Sequence, residues 1–245
     1  MKLRSSANPS SYEQMPLPGL EPGAQKPSAI PLLHKQPWIT YGYDTDWSLL
    51  DSLDPTHPPV ILSYGLGIDS TAMLLRFLFG PSSRDFPLQN LVLVVAMTGD
   101  EWARTAHLVC RFILPLCRRF SIWLIQVSRS GESERDGITI HSSSRCPTRL
   151  YIEGRYSLGQ HLLINGVVPQ KAKGKRFCTM KFKAFPIDWV VKLFFGDSPD
   201  VRYRRMIGYN ADETTRAAQD SSLTTAQHYR YLLGFNADET KVFQW

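Results

Sequence analysis

The residues best suited to chemistry lie in one short stretch, Ser63-Tyr64-Gly65-Leu66-Gly67-Ile68-Asp69-Ser70. It brings two glycines, two serine hydroxyls and a carboxylate together between an apolar run, Val60 to Leu62, and apolar residues at helical spacing, Ala72, Met73, Leu75, Leu78 and Phe79. A strand, a glycine-bearing turn and a helix start form an anion site. The first helical N–H groups lack partners, and the helix dipole favours negative charge. Gly65 and Gly67 carry no Cβ, so a phosphate can approach the main chain closely. Asp69, Ser70 and Thr71 stand where the helix cap is expected. No Gly-Lys-Ser/Thr follows the glycines, and Ser70 occupies the place of the third glycine of G-x-G-x-x-G, so neither nucleotide motif is present. A tight strand-to-helix connection with no ligand is the plain alternative.

Other reactive side chains are scattered. The cysteines are Cys110, Cys117, Cys146 and Cys178, with no C-x-x-C pair, which argues against a zinc ribbon or a thioredoxin-like site. Cys110 and Cys117 fall on one face of an apolar helical pattern and are expected to be buried. Cys178 reads as a nucleophile, a cluster ligand or a packed thiol, and Cys146 lies in a polar loop. The six histidines show no ligand spacing, and His141 and His161 read as ordinary loop or helix residues. Lys171, Lys173, Lys175, Arg176, Lys181 and Lys183 form a run with no acid inside it. A solvated basic face accounts for its first part. Glu213 and Arg216 are three apart, which a surface ion pair on a helix would explain.

Around these residues the chain alternates strand and helix. Leu91 to Ala96 and Ile122 to Val127 are continuous apolar runs like Val60 to Leu62, as in parallel strands covered on both faces. Ala103 to Phe120 reads as a helix that Pro115 bends, and Ser128 to Thr148 as an irregular polar excursion. Ser157 to Ile164 and Phe185 to Phe195 read as helices, and Val201 to Gly208 as a strand. Right-handed crossovers then give an α/β fold, an open parallel sheet flanked by helices, with ligands at the strand C-terminal ends. Residues 1–48 are rich in Pro, Ser and Gly and read as a disordered arm whose end, from Trp38 to Tyr43, can dock. Residues 49–245 form the folded domain. Leu233 to Thr240 echoes Ile207 to Thr214. The net charge of +6 suits anionic ligands without marking a nucleic-acid binder. No apolar run is long enough to span a membrane and the N-terminus lacks the apolar core of a signal peptide, so a cytoplasmic location is expected.

Four stretches in order resemble the phosphoadenosine phosphosulfate (PAPS) reductase-like branch of the PP-loop, or adenine nucleotide alpha hydrolase, superfamily. They are Ser63 to Ser70; Thr98-Gly99-Asp100-Glu101-Trp102 with Thr105; Arg176-Phe177-Cys178-Thr179-Met180-Lys181; and Gly208 through Arg216. The resemblance implies a Rossmann-like nucleotide-binding domain that takes ATP, or PAPS, with Mg²⁺. Ser63, Gly65, Gly67 and Ser70 would hold phosphate, and Asp69 would cap the helix or contact Mg²⁺. Thr98, Gly99 and Glu101 would line the same site, with Glu101 reaching substrate or metal. Lys181, Arg176 and Arg216 would neutralise charge on a leaving group, and Glu213 would orient Arg216 or bind metal. Cys178 is the candidate thiol.

The chain departs from its sulfonucleotide-reducing relatives. It has no cysteine after Cys178, and no paired cysteines for an iron–sulfur cluster; Met97 stands where related proteins carry aspartate. A shortened or divergent member is expected. The leading expectation is therefore cleavage of ATP between the α- and β-phosphates, adenylating an unknown small-molecule or RNA acceptor. Sulfonucleotide reduction or partner-dependent sulfur transfer is a second reading, and a non-catalytic nucleotide or nucleic-acid binding module a third. A homodimer is left open.

Overall fold

The computed structural model describes residues 38–46, 48–168, 171–172, 175–196, 203–210 and 228–235. Nine strands lie in these segments. They are β1 Ile39–Thr45, β2 Val60–Ser63, β3 Leu91–Met97, β4 Trp123–Arg129, β5 Ile138–Ser144, β6 Lys171–Ala172, β7 Lys175–Arg176, β8 Tyr203–Asn210 and β9 His228–Phe235. Seven of them form one sheet in the order β1-β5-β4-β3-β2-β8-β9, and β6 pairs with β7 as a separate short hairpin. Neighbours from β4 to β9 are parallel. β5 runs antiparallel to β4, and β1 runs parallel to β5. The sheet is thus mostly parallel rather than wholly so, and the flanking helices make it α/β.

The apolar runs became the central strands because both faces of the sheet are covered. Along β2, Val60 and Leu62 pack into one core while Ile61 packs into the other. β3 alternates in the same way, with Leu91, Leu93, Val95 and Met97 on one side and Val92, Val94 and Ala96 on the other. Helix α1 (Ile68–Phe79) buries Met73, Leu74, Phe77 and Leu78 in the first core. Helix α2 runs Ala103–Leu108, then a π-helical turn Val109–Ile113, then Leu114–Arg119, and adds Val109, Ile113 and Cys117 there. On the opposite face lies α4, which is Phe177–Thr179, a π-helical turn Met180–Ala184, then Phe185–Phe195. Its Ile187, Val190, Val191 and Phe194 fill the second core beside Trp123. A short helix α3, Leu158–Ile164, is opened by Ser157 and Gln160 capping each other's amides.

Each π turn ends two residues before a proline, Pro115 and Pro186. A proline has no N–H to give to the preceding turn, and the widened ladder absorbs the loss. The effect in α2 overturns one expectation. Cys117 is buried but Cys110 is exposed. The wide turn holds an extra residue, so seven positions no longer close two turns and the two thiols point apart.

Two strands depart from the sequence reading. The excursion expected at residues 128–148 contains β5, whose buried Ser142 and Ser143 replace the usual apolar alternation. Ser143 is satisfied there by the Trp123 indole N–H, 2.8 Å away. The stretch expected as an arm up to residue 48 supplies β1 from Ile39 onward, with Trp38 against Trp189 at 4.3 Å between ring centroids. Residues 1–37 lie outside the described residues. No helix among the described residues is long and apolar enough to cross a membrane.

Candidate functional site

Chain order moves outward from β2 through β3 to β4, then resumes on the other side of β2 with β8 and β9. The order reverses between β2 and β8. At such a point neighbouring connections leave toward opposite faces, and a crevice opens beyond the strand C-terminal ends. The residues singled out in the β2–α1 loop stand at that crevice.

The loop is built largely from main chain. Tyr64 is buried, donates its amide to Val94 O at 2.9 Å, and places its hydroxyl 3.0 Å from Thr71 Oγ1. Burial pushes the Tyr64 phenol up to about 12. Leu66 takes the left-handed conformation at φ 60° with its side chain in the core. A leucine held there costs roughly 1–2 kcal/mol, which the packing of its side chain offsets. Helix α1 begins after Gly67, and no side chain caps it. This corrects the expected cap at Asp69 to Thr71. Asp69 is the second helical residue, and the Ser70 and Thr71 hydroxyls instead donate to the Gly67 carbonyl at 3.2 and 2.8 Å.

One observation shows room at this loop, and another shows an unmet hydrogen-bonding group. A Cβ at Gly65 or Gly67 would meet nothing within 4 Å. Gly67 has φ −85°, which any residue adopts, so the protein's own packing does not demand glycine there. Ser63 Oγ is buried and makes no hydrogen bond among the described residues. Across the crevice the end of β8 comes close: a Cβ at Gly208 would lie 2.8 Å from the Ser70 amide nitrogen. Gly208 is therefore a packing requirement, where Gly65 and Gly67 are not.

The second wall is the β3–α2 loop. Thr98 donates its hydroxyl to Glu101 Oε1 at 3.0 Å, orienting that carboxylate. Gly99, at φ 81°, presses on Ser157, where a Cβ would come within 2.5 Å. Asp100 accepts from the Gly159 amide at 2.6 Å, and Leu158 donates to Thr98 O at 2.8 Å, so this loop docks the start of α3. Asp100 is thereby committed to structure. Trp102, which follows Glu101, is 81% exposed.

The third wall joins β4, α3 and α4. Arg129, at the end of β4, is almost wholly buried. It donates to three carbonyls, Gly131 O at 3.1 Å, Glu132 O at 2.6 Å and Lys181 O at 3.2 Å. Its guanidinium lies 4.9 Å from the Phe185 ring centroid and 5.6 Å from that of Phe182. Burial lowers its pKa from the ordinary arginine value. Lys181 is thus tied through its main chain to β4, and its ammonium rests 4.2 Å from the Phe177 ring centroid. His161 is buried nearby with Nδ1 2.8 Å from the Tyr156 hydroxyl. Burial, then the charges of Lys181 and Arg129, hold it below the ordinary histidine pKa.

The structure therefore gathers Ser63, Gly65, Gly67, Asp69 and Ser70 on one wall and Thr98, Gly99 and Glu101 at the end of the adjoining strand. Lys181 lies farther along the same edge, at the end of β4. Cys178 is half-buried in the first turn of α4 and is not in a disulfide. The side chain of Arg176, and Glu213 and Arg216, lie outside the described residues. The sequence reading gave no role to Arg129 or Tyr156, quoted Asp100 only within its second motif, and took His161 for an ordinary loop or helix residue. Arg129 left a trace, a charge closing an apolar run. Among the described residues no group of three His, Cys, Asp or Glu side chains could hold a metal ion. Asp69 and Glu101 are carboxylates, the kind of ligand by which Mg²⁺ is commonly held one or two at a time, with phosphate and water in the remaining positions.

Comparison with known proteins finds no matching family model, no matching curated protein and no matching solved structure.

Proposed function

We propose that the protein is a nucleotide-binding enzyme of the PP-loop type that cleaves ATP between its α- and β-phosphates, transferring AMP to an acceptor and releasing pyrophosphate. The observation that carries this reading is the uncapped start of α1 at the strand-order reversal, with open space over Gly65 and Gly67. Helix-start amides beside such a space favour polyphosphate over a neutral ligand. The order β4-β3-β2-β8-β9 is also the doubly wound order in which nucleotides bind at the reversal. The exposed indole of Trp102 offers a stacking face for a purine at the rim.

Each residue then has a bounded task. The amides around Gly67 to Ser70 and the Ser63 hydroxyl hold phosphate oxygens. Lys181 turns from Phe177 toward the developing charge on the leaving group, joined by Arg176 and Arg216. Asp69 and Glu101 would hold Mg²⁺, which would supply further charge neutralisation when bound. The test uses ATP labelled at the α-phosphate: AMP, or an adenylated acceptor, should appear with pyrophosphate. ADP as the sole product would sink the assignment.

The accessible Cys178 favours one second reading, thiol attack on a sulfonucleotide such as PAPS with a partner thiol as reductant. Sulfite release that survives Cys178→Ser would exclude that cysteine as the attacking group.

A further inference from the structure

β8 and β9 carry nearly the same sequence. Tyr203 through Thr214 matches Tyr229 through Thr240 with eight of twelve residues identical, and Met206, Ile207 and Tyr209 are replaced by Leu232, Leu233 and Phe235. The two strands lie side by side and parallel. They are not in the register of the repeat, however. Gly208 pairs with Leu233, and Gly234 pairs with Tyr209. In stacked repeats equivalent residues face one another. Here a slip of one residue puts equivalent residues on opposite faces of the sheet. Pairing between the copies therefore does not account for their likeness.

The slot beside β2 does account for it. That slot makes three demands on its occupant. It needs an apolar residue at Met206, which is buried; an arginine at Arg204, which meets Asp85 at 2.6 Å; and a glycine at Gly208, where a side chain would strike the Ser70 amide. The second copy offers Leu232, Arg230 and Gly234 at the equivalent places. As the edge strand among the described residues, paired there on one side only, β9 meets none of these demands from β2 where it now lies. The fourth position differs. Arg205 pairs with Asp188 but leaves its buried Nε without a partner among the described residues, whereas Tyr231 carries no such group. The resident strand thus carries one unsatisfied donor that the other copy lacks, while the other copy would forgo the ion pair with Asp188.

We infer that β8 and β9 are alternative occupants of the slot beside β2, exchanged within one chain. Two packings of nearly one sequence are the condition under which a fold switches. The exchange stands apart from the nucleotide reading. The first copy is followed by Glu213 and Arg216, and the second by Glu239 with Val242 where the arginine would be. Exchange therefore changes which of these two sequences follows the strand beside β2.

The full chain, carrying Cys110→Ser, Cys146→Ser and Cys178→Ser, is oxidised after pairing Ile61→Cys with either Arg205→Cys or Tyr231→Cys. Positions 61 and 205 are register partners. Positions 61 and 231 are two strand spacings apart in the resident arrangement, roughly 10 Å, beyond the ~7 Å limit for a disulfide. Exchange predicts that both pairs close within the monomer. Closure of the first pair alone, or a 61–231 disulfide that links two chains, overturns it. Independently, Gly208→Val and Gly234→Val are each expected to lower Tm by a few degrees, and the double variant by well beyond their sum. Additive shifts, or a Gly208→Val protein as unstable as the double variant, overturn the inference. Neither readout requires nucleotide, so failure of the exchange and failure of the ATP reading are distinguishable.

Discussion

On the β2–α1 side the crevice is lined by main chain: two glycines with empty space above them and a helix start that no side chain caps. On the α3–α4 side it is lined by side chains: a buried arginine between two phenylalanines, a buried histidine against a tyrosine, and a lysine lying on an aromatic ring. The first wall depends little on which residues occupy it, provided they stay small. The second depends on each residue keeping its partner. The contrast separates two kinds of damage. Changes to the glycine wall should cost binding and spare stability, and changes to the aromatic wall should reach stability as well.

The largest effect should come from Lys181→Ala. Loss of a charge aimed at the leaving group lowers the rate of pyrophosphate release about 10²–10³-fold. A loss under tenfold would leave the lysine as packing for Phe177 and dissolve its place in the comparison. Next, Gly67→Val should weaken ATP binding by about 100-fold, the scale of one misplaced donor, with Tm unchanged. Calorimetric titration and a melting curve on the same sample check both halves, and a fall in both would erase the distinction between the walls. Arg129→Met should lower stability by about 2 kcal/mol in a urea titration, because three carbonyls lose their donor. A change under ~0.5 kcal/mol would show that the latch from β4 to α4 contributes nothing. The smallest effect concerns pH. Burial holds His141, and burial with nearby positive charge His161, below the ordinary histidine value. Below about pH 6.5 the unfolded chain binds protons that the folded chain refuses, so stability falls as pH drops through that value. His141→Phe should flatten the slope of Tm between pH 7.5 and 5.5, and an unchanged slope would remove His141 from the account.

The glycine wall was legible in the sequence because its chemistry is local. A strand, a turn and a helix start follow one another within a single stretch, and Gly65 and Gly67 announce themselves. The three central strands were legible for a similar reason, since burial on both faces leaves an unbroken apolar run. The aromatic wall was not legible. Arg129 acts on carbonyls of residues 131, 132 and 181, and nothing around position 129 reports that 181 lies beside it. β5 was hidden because its interior holds serines, whose hydroxyls are satisfied by partners such as Trp123. β1 was hidden in a segment whose prolines dominate any local reading. The start of α4 was hidden because its π turn breaks the 3.6-residue period over the stretch that carries Lys181.

The seam between β2 and β8 also bears on how the molecule comes into being. Ser63 finds its partner in Ile207, so the crevice lacks one side until β8 has left the ribosome. β2, β3 and β4 emerge early and leave one edge of β2 waiting, a stretch of unpaired amides in the growing chain. A strand made far later must close that edge. Until then the β2–α1 loop stands without β8 beside it, and on the ATP reading nucleotide could stabilise the fold only once β8 has joined the sheet.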